Sequence, residues 1–200
     1  MIVKTIPTGI YATNCYLVIN EATMDTIVID PGDDQEKLIA IIEKNGLKVK
    51  SIFLTHGHID HVGAVKALSA RYNLMTYINR EDLDLMDKNT YIYGNINGVP
   101  ITHIRDQEVI NIGGFEVKCI ETPGHSPGGM SFLIEDVIFS GDTLFQSSIG
   151  RTDFEGGDYD TLIKSIVEKL LILEDNLIVY PGHGPSTTIE KERRTNPFIN

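Results

Sequence analysis

Three imidazoles and a carboxylate fall within the short run His56-Gly57-His58-Ile59-Asp60-His61. The run stands directly behind the apolar segment Ser51-Ile52-Phe53-Leu54 and ahead of Val62-Gly63-Ala64-Val65-Lys66-Ala67-Leu68. It therefore joins two ordered elements, and the fold must bring a strand end and a helix start to one rim. Neutral imidazole nitrogen and carboxylate oxygen are preferred donors for zinc and for iron or manganese. In an extended segment residues two apart share a side, so His56 and His58 can grip one ion. After a bend, Asp60 and His61 face a second position. Asp60 is also placed to cap the helix that follows, a role competing for the same carboxylate.

Short apolar runs and helical patterns alternate along the chain. Strands are expected at 16–20, 26–30, 51–55 and 75–78, and helices over 34–45, 61–72 and 80–88. The Gly-, Asn- and Pro-containing stretch 89–100 reads as a loop, with Tyr91 and Tyr93 as exposed aromatics of a lid or contact surface. The second half repeats the style, with strands at 108–112, 115–121, 130–135, 137–140 and 177–180. Gly113-Gly114 and Glu135-Asp136 fall where tight turns connect antiparallel neighbours. Leu162, Ile163, Ile166, Val167, Leu170 and Leu171 form a helical stripe within 159–173. Two sheets packed face to face, with helices outside, bury all these apolar faces in an α/β arrangement.

At 200 residues the chain is expected to form a single domain over 1–200, or two intimately packed halves. Such a core folds without a metal staple, so a metal site can keep open positions for chemistry. The net charge of −11 disfavours nucleic acid as a partner. Cys15 and Cys119 each lie in a strand-like apolar run, and buried free thiols are preferred to a disulfide. No segment approaches the roughly 20 apolar residues that span a membrane, and the N-terminus lacks a signal-type apolar core. A reduced, cytoplasmic protein is expected.

Further donors recur at predicted strand ends. These are His125 in Pro123-Gly124-His125-Ser126-Pro127-Gly128, Asp142 in Ser140-Gly141-Asp142-Thr143, and His183 in Tyr180-Pro181-Gly182-His183-Gly184. Of six histidines only His103 lies outside such loops, and it is read as an ordinary surface residue.

The run His56-x-His58-x-Asp60-His61, followed by His125, Asp142 and His183, resembles the metallo-β-lactamase superfamily. Within it the chain looks most like the small, single-domain glyoxalase II-like (hydroxyacylglutathione hydrolase-like) bacterial hydrolases. Thr122-Pro123-Gly124-His125, Ser140-Gly141-Asp142-Thr143-Leu144-Phe145, Gly150-Arg151-Thr152-Asp153-Phe154 and Tyr180-Pro181-Gly182-His183-Gly184 support the likeness. The resemblance implies an αββα four-layer sandwich of two mixed β-sheets with two divalent metal ions at one edge. His56, His58 and His125 would hold the first ion, Asp60, His61 and His183 the second, and Asp142 would bridge them. Zinc is the expected metal, with iron or manganese as alternatives. The implied reaction is hydrolysis of a small-thiol thioester, S-lactoylglutathione-like, by a metal-bridging hydroxide that Asp142 holds and Asp60 orients. Arg151 and Phe154 would contact substrate.

Two departures bear on specificity. The family's C-terminal glutathione-binding helical region is not expected here, and Pro185 stands where a glutathione-contacting tyrosine occurs. A thiol other than glutathione is therefore in play. The alternative is a persulfide dioxygenase with one iron, from a sister family sharing Gly-Arg-Thr-Asp-Phe. A lactonase, a β-lactamase and a non-catalytic metal-binding module rank lower.

Overall fold

The computed structural model describes residues 1–88 and 91–199. Asn89 and Thr90, which open the stretch read as a loop, lie outside the described residues. The first sheet has six strands in chain order: β1 (Ile2–Thr8), β2 (Thr13–Ile19), β3 (Asp25–Ile29), β4 (Lys48–Phe53), β5 (Met75–Asn79) and β6 (Ile101–Ile104). β1 to β3 pair antiparallel and β3 to β6 parallel. The parallel crossovers carry α1 (Gln35–Lys44), α2 (Ile59–Val62), α3 (Val65–Tyr72) and α4 (Arg80–Asp87).

The second sheet is built from β7 (Val109–Ile112), β8 (Phe115–Glu121), β9 (Met130–Ile134) and β10 (Val137–Gly141). After a small hairpin of β11 (Leu144–Phe145) and β12 (Ser148–Ile149), it gains β13 (Ile178–Pro181) and β14 (Thr187–Thr188). Its spatial order is β14-β13-β10-β9-β8-β7. Gly113 and Gly114 both adopt positive φ (62° and 81°) between paired Ile112 and Phe115, the backbone a two-residue hairpin turn demands. The helix α5 (Tyr159–Ser165) runs on as a π-helical turn over Ile166–Leu170, and α6 (Ile189–Thr195) follows β14.

Alternation explains the layers. Every residue of β2 is buried. Cys15, Leu17 and Ile19 join an apolar cluster shared with Leu38, Leu68 and Leu85 of α1, α3 and α4. Tyr16 and Val18 point the other way, into a cluster with Val117, Phe132 and Phe139 of the second sheet. A third cluster seats Leu162 and Ile166 against Ile138 and Val179. Helix, sheet, sheet and helix thus stack as the expected αββα sandwich. Phe53 ties the sheets together: it stacks on Tyr77 at 4.5 Å and meets Phe132 edge-on at 5.2 Å. Such aromatic pairs contribute about 0.5–1.5 kcal/mol beyond area burial.

Some expectations need correction. The helix expected over 61–72 is broken at Gly63-Ala64. The Ala64 N–H bonds Pro31 O at 2.9 Å, and a Cβ on Gly63 would lie 2.3 Å from Gly32 O. The break lets the β3–α1 loop press against the histidine loop. Strands β1 and β6 and helix α6 were not read from the sequence. Tyr93 and Ile92 are buried, not exposed, and only Tyr91 faces solvent. Cys15 and Cys119 are buried free thiols.

Candidate metal centre

The donors lie beyond the C-terminal ends of strands from both sheets, where ligands bind in open α/β folds. Asp30 follows β3, the His56–His61 run follows β4, His125 follows β8, Asp142 follows β10 and His183 follows β13. His56, His58 and His125 offer ligand atoms within 4.8 Å of one another; so do His56, His61 and Asp142, and Asp60, His61 and His183. All seven candidates from the sequence therefore meet at one edge. Asp142 lies between the groups, with Oδ2 3.6 Å from His125 Nε2 and 3.5 Å from His183 Nε2.

β4 ends at Phe53, so strand alternation alone does not set His56 and His58. The loop is held open by neighbours. The Ile59 N–H bonds Ile92 O and the Gly94 N–H bonds Gly57 O, both at 2.9 Å, and His58 forms an isolated bridge with Tyr93. The segment around Tyr93 is thus a brace for the histidine loop. Asp60 lies inside α2 rather than at its N-cap, which is His58. Its carboxylate accepts a bond from the Thr13 hydroxyl at 2.9 Å and faces His183 Nε2 at 3.2 Å, so the capping role expected for it does not occur.

Three supporting groups were missed from the sequence. Asp30, 1% exposed, accepts bonds from the Thr55 N–H (2.8 Å) and hydroxyl (2.6 Å) and faces His61 Nδ1 at 3.0 Å. Asp82, fully buried on α4, accepts from the N–H groups of Gly57 and Gly128. Burial pushes its carboxyl pKa up, and those N–H donors hold it back. Thr13 braces Asp60. The available signals were weak: a lone Asp after a strand, and a lone Asp on a polar helix.

The titration behaviour divides the site. Burial, then the charges of His125 and His61, push His58 down to about 3, so its ring is neutral at physiological pH. Burial and the surrounding imidazoles push His56 well below its ordinary value. Burial also opposes charge on His61, but Asp142 and Asp30 outweigh it and hold that ring well above the usual range. Burial disfavours the Asp142 carboxylate, yet His61, His125 and His183 bring it down to about 2.

A bound cation fits these groups on a direct observation. Nε2 of His56 and His58 is buried without a hydrogen-bond partner, and Nε2 of His61 and Oδ1 of Asp142 are buried facing each other at 3.4 Å. Each unsatisfied buried polar atom costs about 1–3 kcal/mol. Such atoms, grouped as His56 and His58 with His125 and as His56 and His61 with Asp142, are accounted for by bound divalent cations. The donors contain no thiolate, so zinc, iron and manganese are all compatible.

Above this floor opens a pocket of about 580 Å³, whose lining includes Tyr11, Ile59, Tyr91, Ile92, Phe145 and Phe154. Arg151 also lines it, but its guanidinium forms two 2.7 Å bonds to Asp153 and lies 3.9 Å over the Phe154 ring. His103, on the edge strand β6, is exposed and remote from the site, as expected.

Fold and donor set together define a metal-dependent hydrolase. The model of the metallo-beta-lactamase superfamily matches residues 8–183, and the chain belongs to that superfamily. It is 38% identical to hydroxyacylglutathione hydrolase GloC of Haemophilus influenzae, over all of this chain and 99% of that protein. It is 36% identical to the probable metallo-hydrolase YqgX of Bacillus subtilis, covering 98% and 97% of the two chains. Among solved structures, BLEG-1 B3 metallo-beta-lactamase superimposes with a TM-score of 0.89 at 38% identity over 100% of both chains. TTHA1623 in a di-iron-bound form gives 0.85 at 37%, covering 98% of this chain and 100% of that one. ETHE1 from Myxococcus xanthus gives 0.84 at 29%, covering 98% and 84%. Among the described residues, no helix is long and apolar enough to cross a membrane.

Proposed function

We propose that this chain hydrolyses thioesters of small thiols, with an S-lactoylglutathione-like connectivity of acyl group and sulfur. The carrying observation is the set of unpartnered ring nitrogens and the Asp142 oxygen turned together beneath an open, largely apolar pocket. His56, His58 and His125 are assigned to one divalent ion, Asp60, His61 and His183 to a second, and Asp142 to both. Such a pair supplies a water ionised near neutral pH and a Lewis acid for the carbonyl.

The chain's own residues then have defined work. Asp60, fixed by Thr13 and facing His183, orients the attacking oxygen. The apolar wall excludes bulk water from the acyl group. Water adds to the carbonyl carbon and the C–S bond breaks with its electron pair on sulfur; one water proton ends on the departing thiolate and the other is released from the carboxylic acid product to solvent. The likeness to GloC, hydroxyacylglutathione hydrolase by name, supports the thioester reading.

The engagement of Arg151 with Asp153 bears on the thiol. A guanidinium whose charge is offset by a forked carboxylate attracts an anionic arm less, so a compact, uncharged thiol portion is favoured over glutathione. The test is anaerobic release of free thiol from a series of acyl thioesters by metal-loaded protein. Turnover without oxygen supports the reading. Oxygen consumption with glutathione persulfide and no thioester cleavage would replace it with the dioxygenase alternative.

A further inference from the structure

Asp82 has no place in the seven-donor set, yet it is a carboxylate with 0% exposure and sits where two donor loops meet. Its Oδ2 accepts the Gly57 N–H at 2.8 Å, in the loop of His56 and His58. Its Oδ1 accepts the Gly128 N–H at 2.6 Å, in the loop of His125. The two loops belong to different sheets, and α4 packs on both. A Cβ on Gly57 would come within 2.9 Å of Met86 on the same helix, and one on Gly128 within 2.7 Å of the Asp82 backbone nitrogen.

We infer that Asp82 is the positioning residue for the His56–His58–His125 metal position, clamping the two loops that carry its three imidazoles. The inference rests on the proposed assignment of those histidines. It differs from a general packing role in being one-sided: among the described residues its backbone donors are Gly57, between His56 and His58, and Gly128, beyond His125, with none from α2, which carries Asp60 and His61, or from the His183 loop. A carboxyl group accepting from two backbone donors fixes the separation of the loops, and that separation sets whether three nitrogens fit one ion. Partners behind the ligands of this kind change metal affinity by about 10–100-fold.

Asp82→Asn keeps the shape but turns one acceptor into an NH2 group facing an N–H donor. Zinc content is to be measured by mass spectrometry after equilibration in a chelator-buffered zinc series, with thermal melting of the metal-free protein alongside. Wild type is expected to hold two ions, and D82N to hold one at zinc activities where wild type is full. In a His183→Ala background, D82N should remove the remaining ion. Leu85→Ala, on the same helix but not bonded to either loop, serves as the control of matched destabilisation and should keep two ions. Should D82N not fold, Gly128→Ala carries the same test, because its Cβ would crowd Asp82 Oδ1 at 2.8 Å.

Two ions retained in D82N with wild-type affinity, or a loss matched by L85A, overturns the role of Asp82 and leaves the metal assignment standing. A wild-type chain that binds no ion overturns both.

Discussion

The carboxylate of Asp30 lies 3.0 Å from Nδ1 of His61, and both side chains are sealed from solvent. The contact fixes which ring nitrogen of His61 is left to face Asp142 and Asp60. Asp30 achieves this from a left-handed backbone conformation, φ 49°, that aspartate and asparagine adopt more readily than most residues.

Asp30→Asn should therefore keep the backbone while unbalancing the His61 contact. Zinc affinity is expected to fall about 10–100-fold. One mismatched buried donor should cost about 1–3 kcal/mol of stability. Calorimetric titration of zinc into the metal-free variant, with a denaturant melt, checks both. Unchanged affinity would remove Asp30 from the support of His61.

Gly182 precedes His183, and a Cβ there would lie 2.0 Å from Asp142 Oδ1 and 2.8 Å from His61 Cε1. Gly182→Ala should displace the Asp142 carboxylate while the far-ultraviolet circular dichroism stays unchanged. A misplacement of this order is expected to lower kcat/KM about 100-fold. Steady-state kinetics on the best thioester substrate decides it.

The donor set was legible because its residue types are rare and their order is distinctive, and the strand ends that carry His125, Asp142 and His183 were marked by glycine and proline. Layering was legible from alternation in β8 and from the continuous apolar run of β10. What stayed hidden depended on tertiary partners. β1 mixes Lys4, Thr5 and Pro7 among its apolar residues and becomes a strand through pairing with β2. β6, only four residues long, is completed by pairing with β5. The kink at Gly63 follows from Pro31 supplying the acceptor. Asp30 and Asp82 gave no local pattern, since their meaning lies in backbone N–H groups 25 to 46 positions away. Tyr93 looked like an exposed loop aromatic and is buried by the contact of its loop with Gly57–Ile59.

Burial pushes the Cys119 thiol up to about 12 and the Cys15 thiol higher still. A raised thiol pKa means that at pH 8 both sulfurs are protonated and poor nucleophiles. The native protein should resist a disulfide-exchange thiol reagent at pH 8, and denatured protein should release two equivalents rapidly. Fast labelling of native protein would contradict the buried, unpaired thiols seen here.

Asp153 occupies both arms of the Arg151 fork. Asp153→Ala should free the guanidinium and lower KM for an anionic thioester about threefold or more, with little change for a neutral one. Arg151→Ala should leave KM for the neutral ester within about twofold. Parallel kinetics on the two esters checks the sign. A large loss for the neutral substrate in R151A would show that Arg151 contacts substrate directly.

A hydrolytic metal pair held by the convergent His and Asp groups is the proposal on which the rest depends. It is tested most directly by oxygen-free turnover of an acyl thioester in water enriched in oxygen-18, using protein loaded with zinc and protein stripped by chelator. Free thiol and singly labelled carboxylate are expected from the loaded protein alone. Equal rates from stripped and loaded protein, or no thiol from either while persulfide is oxidised in air, would contradict it.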